Sequence, residues 1–233
     1  MGCLPAQYND DRLKYDLSHV VWIGGSPATG KSTIARLLAA TQGLTVYDFD
    51  RHEPEHVAHR MTNAAEYPAY ASFLALTMDQ RWLLRPVEEM ARQVIAMWTE
   101  RFRLVVDDLF ALPSNVGILA EGPGLFPHCV RPIIPGRYHA IWLIPTAPFC
   151  RKVRLQRDAG AFADTSNPER ALDNLIARDI LLAEYVREQA IGAGLTVLEV
   201  DGTRSIEEIA SLVKQHLTLT EISIRQDTVK RGR

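Results

Sequence analysis

The feature that most constrains this chain is an eight-residue stretch, Gly25-Ser-Pro-Ala-Thr-Gly30-Lys31-Ser32, set between an apolar run and an amphipathic one. It fits G-x-x-x-x-G-K-[ST] at every fixed position. The two glycines let the backbone curl so that its N–H groups converge on an anion. A helix opening at Gly30 turns the positive end of its dipole on the same point. Lys31 can reach the outer phosphates of a nucleotide as a point charge, and the Ser32 hydroxyl can bind Mg²⁺. On this reading Gly25, Ser26, Ala28, Thr29, Gly30, Lys31, Ser32 and Thr33 form the nucleotide contacts. The flanks agree. Residues 18–24 predict a buried strand, and residues 29–40 a helix with Ile34, Leu37 and Leu38 on one face. Gly43 ends that helix, as a residue able to take positive φ.

The rest of the chain repeats the alternation. Strands are expected at 44–49, 116–120, 138–144 and 195–200, and helices at 147–158, 167–192 and 205–217. Between the second and third strands, residues 52–112 read as mostly helical, with Pro54 and Pro86 at helix starts. From Val87 the apolar positions Met90, Val94, Trp98, Phe102, Val105 and Leu109 recur at helical spacing. Five strands alternating with helices predict a doubly wound α/β parallel sheet in a single domain over residues 1–217. Ligands of such sheets sit at the carboxyl ends of the strands, here after Gly24, Phe49, Ala120, Ile144 and Val200. Residues 1–17 read as a polar lead-in and 218–233 as a polar tail.

Composition removes several classes. The 26 basic and 28 acidic residues leave a formal charge of -2, without the basic excess of a nucleic-acid or anionic-membrane binder. No apolar run approaches the ~20 residues of a membrane span, and the first twenty residues have no signal-peptide core. The three cysteines are odd in number and lack C-x-x-C spacing, so reduced thiols and a cytoplasmic location are expected.

Carboxylates follow two of the strands. Asp48 and Asp50 stand at the end of the second, and alternation along a strand would put both on one side, beside the phosphate loop. One can hold Mg²⁺ through water, and the other can accept the proton of an attacking hydroxyl. The loop together with Tyr47-Asp48-Phe-Asp50 resembles the small P-loop kinases of the shikimate kinase and gluconate kinase type, which place D-x-D at this point. The resemblance covers about residues 18–50, 116–124 and 138–217. It implies a five-stranded P-loop kinase sheet with a helical insertion after strand two and a lid. It also implies ATP and Mg²⁺ as cofactors, Asp48 on the metal side, and Asp50 as base or acceptor contact. Glu121-Gly122 resembles the E-G pair of uridine and pantothenate kinases. Asp107-Asp108 follows apolar residues too, but these continue the helical period from Val87. Glu121 is therefore the preferred metal-side carboxylate with Ser32, and Asp48 the other candidate.

Arginine is the usual stabiliser of a moving phosphoryl group. Arg151, Arg154 and Arg157 share a helical face by their spacing. The polar stretch 160–167 reads as the tip of a lid spanning 147–178 that would exclude water. Arg178, with Tyr185 and Ala190 behind it, resembles the R-x₆-Y-x₄-A helix after the shikimate kinase lid. Arg157 and Arg178 are the catalytic candidates and Arg154 a nucleotide contact. Asp201 and Gly202 match where such kinases pack adenine. On the acceptor side stand Asp50, Arg51 and Arg81, with Gly122 and Gly124 allowing close approach to the backbone. His52 and His56 lie one helical turn apart without a third ligand nearby, so they read as a solvated pair.

The expectation is therefore a kinase moving the γ-phosphoryl group of ATP to a small-molecule acceptor: a metabolite hydroxyl or phosphate, a nucleoside or nucleotide, or an antibiotic. The alternative is a nucleotide-dependent regulatory ATPase read out by a protein partner. No guanine-specifying N-K-x-D motif is present.

Overall fold

Val20–Gly25 (β1) is apolar and buried on both faces, as the middle strand of a covered parallel sheet must be. In the computed structural model, which describes residues 3, 4 and 10–217, β1 lies at the centre of a five-stranded sheet. The other strands are Thr45–Asp48 (β2), Ile118–Glu121 (β3), Ala140–Pro145 (β4) and Thr196–Val200 (β5). Their order is β2-β3-β1-β4-β5, and every pairing is parallel. This is the expected α/β architecture, a five-stranded parallel sheet between two layers of helices.

Period-two alternation sends the side chains of each strand to two cores. Val21, Ile23, Leu119, Ile141 and Leu143 pack under Lys31–Gln42 (α2) and Ile206–His216 (α10). Val20, Trp22, Ile118, Ala120 and Trp142 pack on the other face, against Val87–Ala111 (α6) and Pro168–Gly192 (α9). The apolar stripe expected in α6 is buried: Met90, Val94, Trp98, Phe102, Val105 and Leu109 all face the core. Asp107 and Asp108 lie in its last turns, on a helix and not after a strand.

Residues 50–60 form one helical stretch that starts as a 3₁₀ turn, continues through Glu53–Glu55 (α3) and ends as a π turn. Pro68–Leu74 (α4) and Met78–Trp82 (α5) follow; Thr77 closes a capping box with Gln80 at the start of α5. Pro127–Val130 (α7) and Ala147–Arg157 (α8) complete the set with Asp10–Asp16 (α1).

Two expectations are corrected. The lead-in is not merely polar, because Leu13 of α1 and Leu17 just after it are buried in the larger core. Cys3 and Cys129 form a disulfide across 126 residues, a pairing that spacing alone does not reveal; Cys150 is free and buried. The stretch 160–167 packs on the helical block. Phe162 packs on Trp82, and the Ser166 N–H donates to Asp79 Oδ1 at 2.7 Å. The tail at 218–233 lies outside the described residues. No described helix is long and apolar enough to cross a membrane.

Phe49, between the two candidate aspartates, is fully buried. A Cβ at Gly122 or Gly124 would run into its side chain. Packing against Phe49 therefore requires glycine at both positions. Gly124→Ala is expected to lower stability by about 1–3 kcal/mol through overpacking, and Phe49→Leu in the same chain to recover part of the loss. Urea unfolding of the single and double variants measures both; additive losses would refute the contact.

Candidate active site

The phosphate loop leaves β1 and enters α2. Gly25, Ala28 and Gly30 all take positive φ, at 121°, 70° and 79°. The curl expected of the glycines is present, and Ala28 joins it against the usual preference of a residue with a Cβ. Lys31 is buried and donates to the Ser26 carbonyl at 2.7 Å and to Thr29 Oγ1 at 3.3 Å. Burial lowers its pKa to about 8, against the pull of Glu121 and Asp50. Ser26 is itself buried, and its hydroxyl donates to the Asp179 carbonyl at 3.1 Å, which ties the loop to α9.

A cavity of about 800 Å³ opens over this loop. Ala28, Thr29, Gly30, Lys31, Ser32 and Thr33 line its floor. Asp50 and Glu121 line it from the sheet side, with Trp98 and Pro123. Arg154, Arg157 and Arg178 line it from α8 and α9; Phe149, Gly202, Arg204 and Ile206 close the far end. The strand ends and the helical arm thus bring most of the expected residues to one space.

The carboxylates divide differently from the expectation. Asp48 is the last residue of β2, and its register partner in β3 is Glu121. The chain then turns, so Asp50 opens the 3₁₀ turn instead of continuing the strand. Strand alternation stops at Asp48, and the two aspartates face different spaces. Asp50 lines the main cavity, whereas Asp48 lines a second one. Asp50 is open to solvent through the cleft yet walled by protein, and this desolvation raises its pKa against Lys31 and Arg101. Glu121 is buried, and desolvation raises its pKa to about 7, although it accepts a hydrogen bond from Ser32 and faces Lys31.

Burial of Glu121 has a measurable consequence for the metal-free protein. Between about pH 4.5 and 7 the folded state keeps a proton that the unfolded state has released, so stability falls as pH rises. The Glu121 contribution is on the order of 3 kcal/mol across that window. Urea unfolding from pH 4.5 to 7.5 should show this slope, and Glu121→Gln should flatten it. An equal slope in the variant would reject the assignment.

The arginines are held by carboxylates. Asp179 is fully buried between two of them. Arg154 is buried and pairs with Asp179 and with Asp158 at 2.8 Å, and Arg178 reaches Asp179 at 2.7 Å while lying over Trp82. Arg157 is the exposed member, paired with Asp158. Arg151 pairs with Asp173 across α8 and α9.

Several candidates sit elsewhere. Arg81 donates to the carbonyls of Phe73 and Leu74, stacks on Phe73 and does not line the main cavity. Its guanidinium ties α4 to α5, so it is a strut of the helical block. The Asp201 carboxylate is taken up by the Thr203 N–H and hydroxyl at 2.9 and 2.7 Å, which leaves Gly202 on the cavity wall. Arg51 lines the second cavity. His52 and His56 are not a solvated pair. His56 is fully buried against Asp108 at 2.7 Å, and His52 stacks on Tyr47. Desolvation would raise Asp108, but hydrogen bonds from His56 and Tyr47 hold it below the usual carboxylate range. Among the described residues, the one cluster with three metal-type ligand atoms within 4.8 Å is Cys3, His128 and Cys129, and both sulfurs are in the disulfide.

Arg101 escaped the reading of the sequence. Fully buried on α6, it donates to the Phe49 carbonyl, pairs with Glu53 at 2.8 Å and covers the Phe49 ring at 3.5 Å. It thereby holds the residue before Asp50. The available signal was a cation on the apolar stripe of α6, one turn beyond Trp98. Trp98 was legible only as core, since a wall residue and a core residue share the same spacing.

No protein-family model matches the chain, and no curated protein matches it. Among solved structures it is similar to an uncharacterized protein from Eubacterium ventriosum. That likeness has 10% identity and a TM-score of 0.39, over 85% of this chain and 97% of that one. It is also similar to shikimate kinase from Aquifex aeolicus, at 12% identity and a TM-score of 0.32, over 84% of this chain and 94% of that one. Likeness at this level adds nothing to the geometry of the site.

Proposed function

We propose that the protein is a small-molecule kinase that uses ATP and Mg²⁺. The observation that carries this reading is a single cavity. It joins a complete phosphate loop, a solvent-reached aspartate with a raised pKa, and arginines held on a helical arm. The donor set suits Mg²⁺, a hard cation that keeps several waters: the Ser32 hydroxyl with Glu121 and Asp48, all oxygen, on neighbouring elements. Bound there, Mg²⁺ would neutralise charge on the β- and γ-phosphates.

The roles follow from position. Loop N–H groups and Lys31 hold the phosphates. Arg154 and Arg178 are oriented by Asp179 toward the transferring group, and Arg157 supplies a further cation from the rim. Asp50 accepts the proton as the acceptor oxygen bonds to the γ-phosphorus and the bond to ADP breaks. Arg101 and Glu53 set the turn that carries Asp50, as positioning residues.

The test is ADP release from Mg·ATP against nucleosides, nucleotides, sugars and amino-alcohol antibiotics. Stimulation by one acceptor class, abolished in Lys31→Ala and Asp50→Asn, is the expected result. Nucleotide binding without any small-molecule stimulation, but with stimulation by a protein partner, would replace the kinase reading by a switch.

A further inference from the structure

A second cavity, of about 420 Å³, opens on the β2 side of the phosphate loop. The two cavities meet at Ser32 and Glu121, which line both. The second is lined in addition by Arg36 from α2, by Asp48 at the end of β2, and by Arg51 and His52 from the turn that follows.

The two arginines differ from those of the main site. Arg154 and Arg178 share a buried carboxylate, and Arg101 is paired with Glu53. Neither the Arg36 nor the Arg51 guanidinium has a hydrogen bond or ion pair with any described residue; of Arg51 only the main-chain N–H is engaged, by Asp48 Oδ1 at 3.1 Å. His52 lines the same cavity. Its Nδ1 lies 2.8 Å from the Asp48 carbonyl, and its ring stacks on Tyr47 at 4.3 Å.

Two open guanidinium groups in one concave space match an oxyanion, because their planar forks bind phosphate and carboxylate through paired N–H donors. The volume falls in the range of ordinary small-ligand sites, about 300–1,000 Å³. Asp48 and Glu121 line the same cavity, and the metal-side reading gives them a cation, so the arginines are left for an anion. We propose that this cavity is a second anion site, distinct from the phosphate loop, which takes a phosphate or carboxylate group between Arg36 and Arg51. Its place beside the metal side rests on the nucleotide reading of the loop. The anion is either part of the acceptor or a free ion that acts on the reaction.

Calorimetric titration with inorganic phosphate tests the site. The full chain is first saturated with the Mg²⁺ complex of a non-hydrolysable ATP analogue, so that the loop is filled. One further phosphate per chain is expected, with affinity reduced at least about tenfold in Arg36→Gln/Arg51→Gln, as loss of charge-assisted pairs implies. Analogue affinity should stay within about threefold, because neither side chain lines the main cavity. Failure of the analogue to bind would be a failure of the nucleotide reading. Phosphate is then titrated into Lys31→Ala, where the same dependence on the two arginines decides the anion site. No uptake, or uptake that the double variant retains, overturns the proposal. The source is read from turnover. If the double variant raises KM for phosphorylated acceptors but not for their neutral counterparts, the anion belongs to the acceptor. If inorganic phosphate alters kcat with a neutral acceptor in the wild type alone, it is a free ion.

Discussion

Asp50→Asn is expected to lower kcat for phosphoryl transfer by about 10²–10⁴-fold, the usual contribution of a positioned general base. Asparagine keeps the shape of the side chain and removes the proton acceptor. Nucleotide affinity should change by no more than about threefold, since the loop and the arginines are untouched. The raised pKa of Asp50, caused by desolvation in the cleft and opposed by Lys31 and Arg101, sharpens the test. A carboxylate with a raised pKa gives the wild type an acidic limb in kcat, because protonation removes the base as pH falls. The variant should lose that limb. Unchanged kcat with the limb intact would show that Asp50 is not the base.

Lys31→Ala is expected to lower kcat/KM for ATP by about 10²–10³-fold, the effect of removing one preorganised electrostatic contact to the phosphates. Loss of fold would not account for it. Lys31 is buried and its pKa is lowered to about 8, so its charge costs folding free energy at neutral pH. The unfolded chain holds the proton up to about pH 10.5, so the wild type gains stability from about pH 8 to 10.5. The alanine variant should be no less stable at pH 7 and should lack that alkaline gain. It should also lack the fall in ATP affinity above pH 8 expected when the free lysine loses its proton. An intact kcat/KM in the variant would remove the phosphate-loop reading altogether.

Legibility in the sequence followed the range of the interactions. The loop and α2 were readable because their signals are local: two glycines, a lysine and a hydroxyl at fixed spacing, then an apolar stripe. The strands were placed within a few residues for the same reason. The partition of Asp48 and Asp50 was not readable. It depends on where β2 stops, and Arg101, 52 residues from Phe49, grips the carbonyl of Phe49 at that stop. The separation of Arg81 from the site was hidden too, since a guanidinium that ties two helices and one that binds a ligand look identical in one dimension. The Cys3–Cys129 bridge joins segments that only the folded sheet brings together.

Taken alone, the sequence determined the phosphate loop, the alternation of strands and helices, and the carboxylate at the end of β3, because backbone curvature and side-chain periodicity are properties of neighbours along the chain. The tertiary structure decided which cations share a buried carboxylate and which stay open. Asp179 engages Arg154 and Arg178, whereas the Arg36 and Arg51 side chains line a cavity and have no hydrogen bond or ion pair among the described residues. That difference is set by burial and by distance through space, which the order of residues along the chain does not carry.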